Sequence, residues 1–182
     1  VTSIALKIDR AVTKRIRKRL TSVATNIERE TARALNRAAT STRAFYSKEV
    51  RKQVNVKAAV LKRGVKIRRA NAKKQVAALD VSGRHVPLIA MGARQTKRGV
   101  TVKRYKAGRR ILLKGAFITT MPKTGHVGVF RRTGNSRLPI QEQFGPSLIT
   151  LWVTRDTPIS LHAVTTLQKE MNARILRLRN RT

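Results

Sequence analysis

Apolar residues recur at every third or fourth position through the first part of the chain. Ile8, Val12, Ile16, Leu20, Val23, Ile27, Ala34 and Ala38 share one side of a helical projection, and no Gly or Pro interrupts before Gly64. Asp9 suits an N-cap, so the spacing predicts a helix from about Asp9 to about Tyr46, roughly 55 Å long at 1.5 Å per residue. Such a rod exceeds a small domain, and part of it must project or meet another chain. Its apolar stripe is narrow and becomes Ala-rich, which suits close helix contact. The pattern leaves open whether it stays straight through Thr40-Ser41-Thr42. Ahead of it, Ile4, Leu6 and Ile8 alternate as a short strand would.

After this helix the period changes. Residues 49–63, with Val50, Val54, Val60 and Leu61, read as a second, shorter helix or a helical turn, with Asn55 a candidate cap and Gly64 a candidate end. Val65-Lys-Ile-Arg-Arg alternates as a strand. Gln75–Val81 and Val86–Met91 are further strand candidates split by a Ser82-Gly83 turn, with Pro87 confining the second to an edge or a strand start. Arg94–Gly99 reads as a polar loop. Val100 and Val102, a Lys106–Arg110 turn and Ile111–Phe117 make the strongest hairpin in the chain. Thr119–Gly125 is a loop, and His126–Arg132 a strand with Val127 and Val129 on one face. Thr133-Gly134-Asn135 is a turn, and Leu138–Phe144 is extended. Ser147 caps a short helix holding Leu148, Leu151 and Trp152. Thr157-Pro158 opens a last helix with Val164, Leu167, Met171, Ile175 and Leu178 at helical spacing.

The predicted fold class is therefore α+β: a long N-terminal helix and a C-terminal helix packed on a small, mostly antiparallel β-sheet. One structural domain is expected, with a helical region over 1–63, a β-rich core over 64–147 and a helical region over 148–182. The stretch Gly99–Ser147 acts as the platform that the helical flanks dock on.

Charge changes this picture more than composition does. Lys and Arg number 42 against 8 Asp and Glu, a formal net charge of +34. Such a chain repels itself and seeks an anionic partner, with nucleic acid ahead of anionic lipid or an acidic protein. The distribution is uneven, because no acid occurs between Glu49 and Asp80, nor between Asp80 and Glu142. The β-rich middle is thus uniformly basic. Two groups are candidate DNA contacts: the hairpin tip, with Lys103, Arg104, Lys106, Arg109 and Arg110 beside Tyr105, and the first-helix face, with Arg15, Lys18 and Arg19. A plain solvated face explains the latter equally well, and exposed turns such as the hairpin tip are often basic for no specific reason.

Catalytic chemistry finds no foothold. The three histidines, His85, His126 and His162, are far apart in sequence, and none has a second His or a carboxylate at metal-ligand spacing. The acids are isolated, no Gly-rich phosphate loop precedes a Lys-Ser/Thr pair, and there is no cysteine. An enzyme, a metal site and a cofactor are not expected. The absence of cysteine suits a reducing cytosol, and no apolar run approaches a membrane span.

Gly115-Ala-Phe117, His126-Val-Gly-Val-Phe-Arg-Arg132, Arg137-Leu-Pro-Ile-Gln-Glu142 and Gly145-Pro-Ser147 together resemble the minor tail protein Z family of tailed bacteriophages and prophages. The resemblance extends over nearly the whole chain in pattern and charge, and is specific over residues 111–147. It implies a tail completion protein: a structural virion component at the head-proximal end of a long tail, associated with placing the DNA end. It implies a homo-oligomeric ring around the DNA channel, a hexamer by the six-fold symmetry of tails. Its expected neighbours are a tail terminator or tail tube protein, the head–tail connector proteins and genomic double-stranded DNA, with assembly in the host bacterial cytoplasm and no membrane partner. No catalytic motif comes with it.

Within that reading Arg137, Leu138, Pro139, Ile140, Phe144 and Pro146 are candidate ring- or partner-docking residues, with simple core closure as the competing explanation. Two other functions compete: a free-standing basic nucleic-acid-binding protein, and a peripheral membrane protein acting through the first helix. The latter is weakened because no Trp or Phe precedes Phe45.

Overall fold

A computed structural model describes residues 10–179, with side chains described for residues 26–155 and 157–179. The strand expected before Asp9 lies outside them. The first helix, α1, runs unbroken from Arg10 to Gln53. At about 66 Å it is longer than the sequence suggested, because Ala38, Thr42, Tyr46, Val50 and Val54 continue the buried stripe beyond Tyr46. Thr40 and Thr42 return their hydroxyls to the carbonyls of Asn36 and Ala38, so polar residues in mid-helix satisfy themselves locally. Basic Arg51 and Lys52 occupy the last turn, where the helix dipole favours cations.

Only the end of the predicted second helix survives, as α2 (Ala58–Gly64). Residue Lys57 stands at its N-cap without a capping side-chain bond, and Asn55 is used elsewhere. Next come β1 (Val65–Arg68) and β2 (Ala78–Val81), paired antiparallel with Val65 opposite Val81. Of the expected strand Val86–Met91, only β3 (His85–Pro87) is extended; Leu88–Met91 forms a 3-10 turn that buries Leu88 and Met91.

The supposed loop at Arg94–Gly99 is instead a tight hairpin of β4 (Arg94–Thr96) and β5 (Gly99–Val102). Polar side chains hid it. The carbonyl of Gly99 accepts from Thr96 Oγ1 at 2.8 Å and from Gln95 Nε2 at 3.2 Å. A side chain at position 99 would drive into the Leu113 carbonyl, and its φ of 142° is open to glycine.

The predicted strand Ile111–Phe117 is two strands, β6 (Ile111–Lys114) and β7 (Ala116–Thr120), because Gly115 turns left-handed at φ 68° between them. β6 extends the β4–β5 ladder. β7 pairs with β8 (Val127–Arg132), and β8 with β9 (Ile140–Glu142). Finally β10 (Phe144–Ser147) pairs with β3. Among the described residues the β-rich region is thus four small sheets, in which every strand pair is antiparallel. In β8, Gly128, Val129 and Phe130 are all buried while Val127 is 41 % exposed, so the expected one-sided alternation fails. Both faces of that strand are covered.

One core joins the ladders to the C-terminal part of α1. Tyr46, Val50 and Val54 meet Leu61, Val65, Val86, Met91, Val100, Val102 and Val129. Burial of side chains this size contributes about 1.5–3 kcal/mol each. α3 (Leu148–Val153), capped by Ser147 Oγ accepting from the Thr150 N–H, closes it with Leu148 and Leu151.

The last helix, α4 (Asp156–Arg179), runs antiparallel along α1. Glu30 meets Arg174, Arg37 meets Glu170, and Phe45 stacks on His162 with centroids 4.1 Å apart. His162 Nε2 also lies 3.0 Å from Ser41 Oγ. The bond from Arg174, at 2.7 Å, holds the Glu30 carboxyl below its ordinary range against the opposing pull of burial, and Arg33 adds to the lowering.

Candidate nucleic-acid interface and docking surfaces

Between β5 and β6 the chain makes a long loop, residues 103–110, and its backbone is fixed to the end of α1. The Lys106 N–H donates to Gln53 O at 2.8 Å, the Asn55 N–H donates to Arg104 O at 2.9 Å, and Val54 bridges Tyr105. Asn55 Nδ2 donates to the carbonyls of Lys103 and Met91, at 3.0 and 3.1 Å. Asn55 is therefore a staple between helix end and loop rather than a helix cap. Five of the predicted DNA-contacting residues sit on this anchored loop.

They are not equivalent. Lys106 and Arg109 are exposed, with Tyr105 exposed between Arg104 and Lys106, whereas Lys103 and Arg104 are half-buried. Arg104 Nε is buried and has no hydrogen-bond partner among the described residues. The Arg110 guanidinium is spent on the protein itself, with Nη2 donating to Gly92 O at 2.6 Å and Thr101 O at 2.8 Å. It ties the loop's return to β5 and the 3-10 turn. The loop is bonded to the last turn of α1, which adds exposed Arg51 to the basic surface. That residue is some fifty positions away in sequence, so only the fold joins them.

The second predicted group, Arg15, Lys18 and Arg19, has side chains outside the described residues. Its helical positions lie near the far end of α1, roughly 50 Å along the axis from Gln53 at 1.5 Å per residue. The fold does not bring the two basic groups together.

The docking candidates divide at Ile140. Arg137, Leu138 and Pro139 are exposed, Leu138 by 66 %, on a loop closed by Thr133, whose N–H and hydroxyl both donate to Pro139 O. Ile140 and Pro146 are half-buried in β9 and β10, and the Gln143 N–H donates to Val129 O at 2.7 Å. Phe144 stays 46 % exposed, with its ring 6.4 Å from His85. Sequence reasoning also kept the histidines apart from the acids. In the fold His126 Nε2 lies 2.9 Å from Glu142 Oε1, because β8 and β9 are neighbours.

The chain thus combines a fixed cationic loop, an exposed Leu138 on a second loop and a 44-residue helix. A model of the family described as Prophage minor tail protein Z (GPZ) matches residues 10–181. The chain belongs to that family. Membership places it among the structural components of phage tails, and the match takes in α1, every ladder and α4. No curated protein and no solved structure matches the chain. Among the described residues, no helix is long and apolar enough to cross a membrane.

Proposed function

We propose that this minor tail protein Z family member is a tail completion protein, which closes as a ring at the head-proximal end of the tail. The ring surrounds the DNA channel, helps join tail to head and positions the DNA end. One observation carries the reading: the 103–110 loop presents Lys106 and Arg109 to solvent from a backbone hydrogen-bonded to α1, within a stretch of chain that has no acid from Val81 to Gln141.

Duplex DNA carries about one negative charge per 1.7 Å of axis, and a channel needs cations without base readout. Lys103, Arg104, Lys106 and Arg109 act there as phosphate contacts, and Arg110 positions the loop that carries them. The group at Arg15, Lys18 and Arg19 meets DNA at another level of the passage, given its distance along α1. Leu138, with Arg137 and Pro139, docks a neighbouring copy or a tail terminator, tail tube or connector protein. Assembly proceeds in the bacterial cytoplasm and the product stays in the virion.

Deleting the gene from its phage and imaging the particles tests this. Complete heads and complete tails that fail to become infectious virions are expected. Normal infectious particles would overturn the reading.

A further inference from the structure

The seam between α1 and α4 is open along one side. A groove of about 370 Å³ lies near the core and another of about 650 Å³ near the outer end. Their linings continue one another. Ile27, Leu35 and Ala39 line them from one face of α1, and Val164, Leu167 and Met171 from one face of α4. Ile27 is 51 % and Val164 54 % exposed. From Ile27 to Thr42 this trough runs about 22 Å along α1 at 1.5 Å per residue, the length of a helix of roughly four turns. The inner part is lined without a single charged side chain, whereas Arg29, Glu30, Arg33, Arg174 and Arg179 border Ile27, Met171, Ile175 and Leu178 in the outer part.

The same chain holds a segment of that length. Residue Arg179 of α4 lines the outer groove together with Asn26 and Ile27. The helix α1, however, begins at Arg10, so residues 10–25 run on for about 24 Å past that level. The sequence places Val12, Ile16, Leu20 and Val23 on one face of this overhang, with Lys14, Arg15, Arg17, Lys18 and Arg19 elsewhere around it.

We propose that the α1 overhang of one copy lies in the α1–α4 trough of the next, its apolar stripe down and its basic face outward. This rests on the ring reading above and specifies its joint. Donor and acceptor are different surfaces of one chain, so the contact is heterologous, the kind that closes into rings. It also answers the charge problem. Copies at +34 repel, but a basic helix face turned out of the trough is available to DNA, which makes polyanion a promoter of assembly. A helix laid by its apolar face into an apolar groove is a recurring mode of recognition.

The chain has no cysteine, so single cysteines report contacts cleanly. Ile16→Cys marks the middle of the overhang and Leu167→Cys the middle of the trough, so the two meet whichever way the helix points. The full-length variants are mixed, oxidised mildly with and without random-sequence duplex DNA, and run on a non-reducing gel, with sedimentation in parallel. The mixed two-chain adduct is expected to exceed either variant's self-adduct at least tenfold and to rise with DNA. Val164→Cys, at an exposed position, replaces Leu167→Cys if the latter misfolds. Adding Val164→Asp to the Leu167→Cys chain should lower the adduct tenfold with circular dichroism unchanged. Assembly without the mixed adduct overturns this joint and leaves the ring standing. A predominant Ile16→Cys self-adduct, meaning that overhangs pair with each other, also overturns it. Monomers under all conditions overturn both this joint and the ring.

Discussion

The helical seam and the β-rich middle treat the same excess of cations in opposite ways. Along the seam, Glu30 and Glu170 take up Arg174, Arg33 and Arg37, and Glu30 and Arg174 are each less than a fifth exposed. In the middle, the stretch from Val81 to Gln141 supplies no acid of its own, and Glu142, just beyond it, lies against His126 rather than a Lys or Arg. Cations there turn to other partners: Arg110 donates to backbone carbonyls, and Arg132 lies 5.5 Å from the centre of the Phe117 ring. Lys106 and Arg109 simply face solvent. The comparison teaches that positive charge is a structural element in one region and a surface left for a partner in the other. Stability and DNA affinity should therefore come apart under mutation.

The largest expected effect removes the unpaired charge. Replacing Lys103, Lys106 and Arg109 together with Gln takes away three phosphate contacts. At about 0.9 in salt slope per contact, the slope of log K against log salt should flatten by about 2.7, and affinity for duplex DNA should fall roughly 500-fold at 0.1 M salt. Stability to urea should change by no more than about 0.5 kcal/mol, as for surface substitutions generally. Fluorescence anisotropy across a salt series decides it: an unchanged slope means the loop does not touch phosphate.

Next comes the paired charge. Glu30→Gln removes the negative charge that Arg174 faces and leaves a single neutral acceptor oxygen, while Glu170 Oε2 remains 3.5 Å from Arg174 Nη2. Losing a charge-assisted bond at a mostly buried site should cost about 2 kcal/mol, with DNA affinity nearly unchanged. The pH dependence follows from the lowered carboxyl of Glu30. Its stabilisation is full above the ordinary carboxylate pKa and is lost as pH falls through the lowered, folded-state value. Urea titrations from pH 7 downward should show a steeper loss in the wild type than in Glu30→Gln. Parallel curves would show that this pair contributes nothing to the seam.

Why the seam is readable in the sequence and the middle only half so is a matter of period and range. Positions Val50 to Leu61 keep a helical spacing, and that spacing conceals the point where Val54-Asn55 leaves α1 to meet Tyr105 and Lys103, a contact across some fifty residues. The final helix, with Leu167 and Met171, announces itself by spacing alone. By contrast Arg94–Thr96 carries no apolar residue. It pairs because Gln95 and Thr96 bond to Gly99 and because Gln95 Oε1 accepts from the Ile118 N–H at 2.8 Å. A polar hairpin held by side-chain bonds leaves no alternating pattern. The break at Gly115 is hidden inside an apolar run that looks continuous. For the candidate site, the sequence points to the basic loop, but local pattern cannot distinguish Arg110, turned onto Gly92 and Thr101, from Arg109, turned to solvent.

The smallest predicted effect lies where the two regions meet. Tyr46 sits on α1 beneath both, fully buried, with its ring 4.9 Å from Trp152 and its hydroxyl donating to Leu148 O at 3.3 Å. Burial pushes its pKa up to about 12, the charge of Arg155 only partly opposing. A raised folded-state value means that the neutral phenol stabilises the fold fully below the ordinary tyrosine pKa of about 10, and that this is lost as pH climbs towards 12. At pH 11 the deficit should be about 1 kcal/mol, since each tenfold difference in proton affinity between the folded and unfolded chain is worth about 1.4 kcal/mol. Lysines also lose charge in this window and relax the self-repulsion of the whole chain, so the wild-type curve alone decides nothing. The variant Tyr46→Phe keeps the ring and every lysine but removes the titrating group. Its stability between pH 9 and 11 should fall about 1 kcal/mol less than that of the wild type in matched urea titrations. If the two fall together, repulsion among the cations governs the alkaline limit, and the division between a paired seam and an unpaired middle does not extend to the core that joins them.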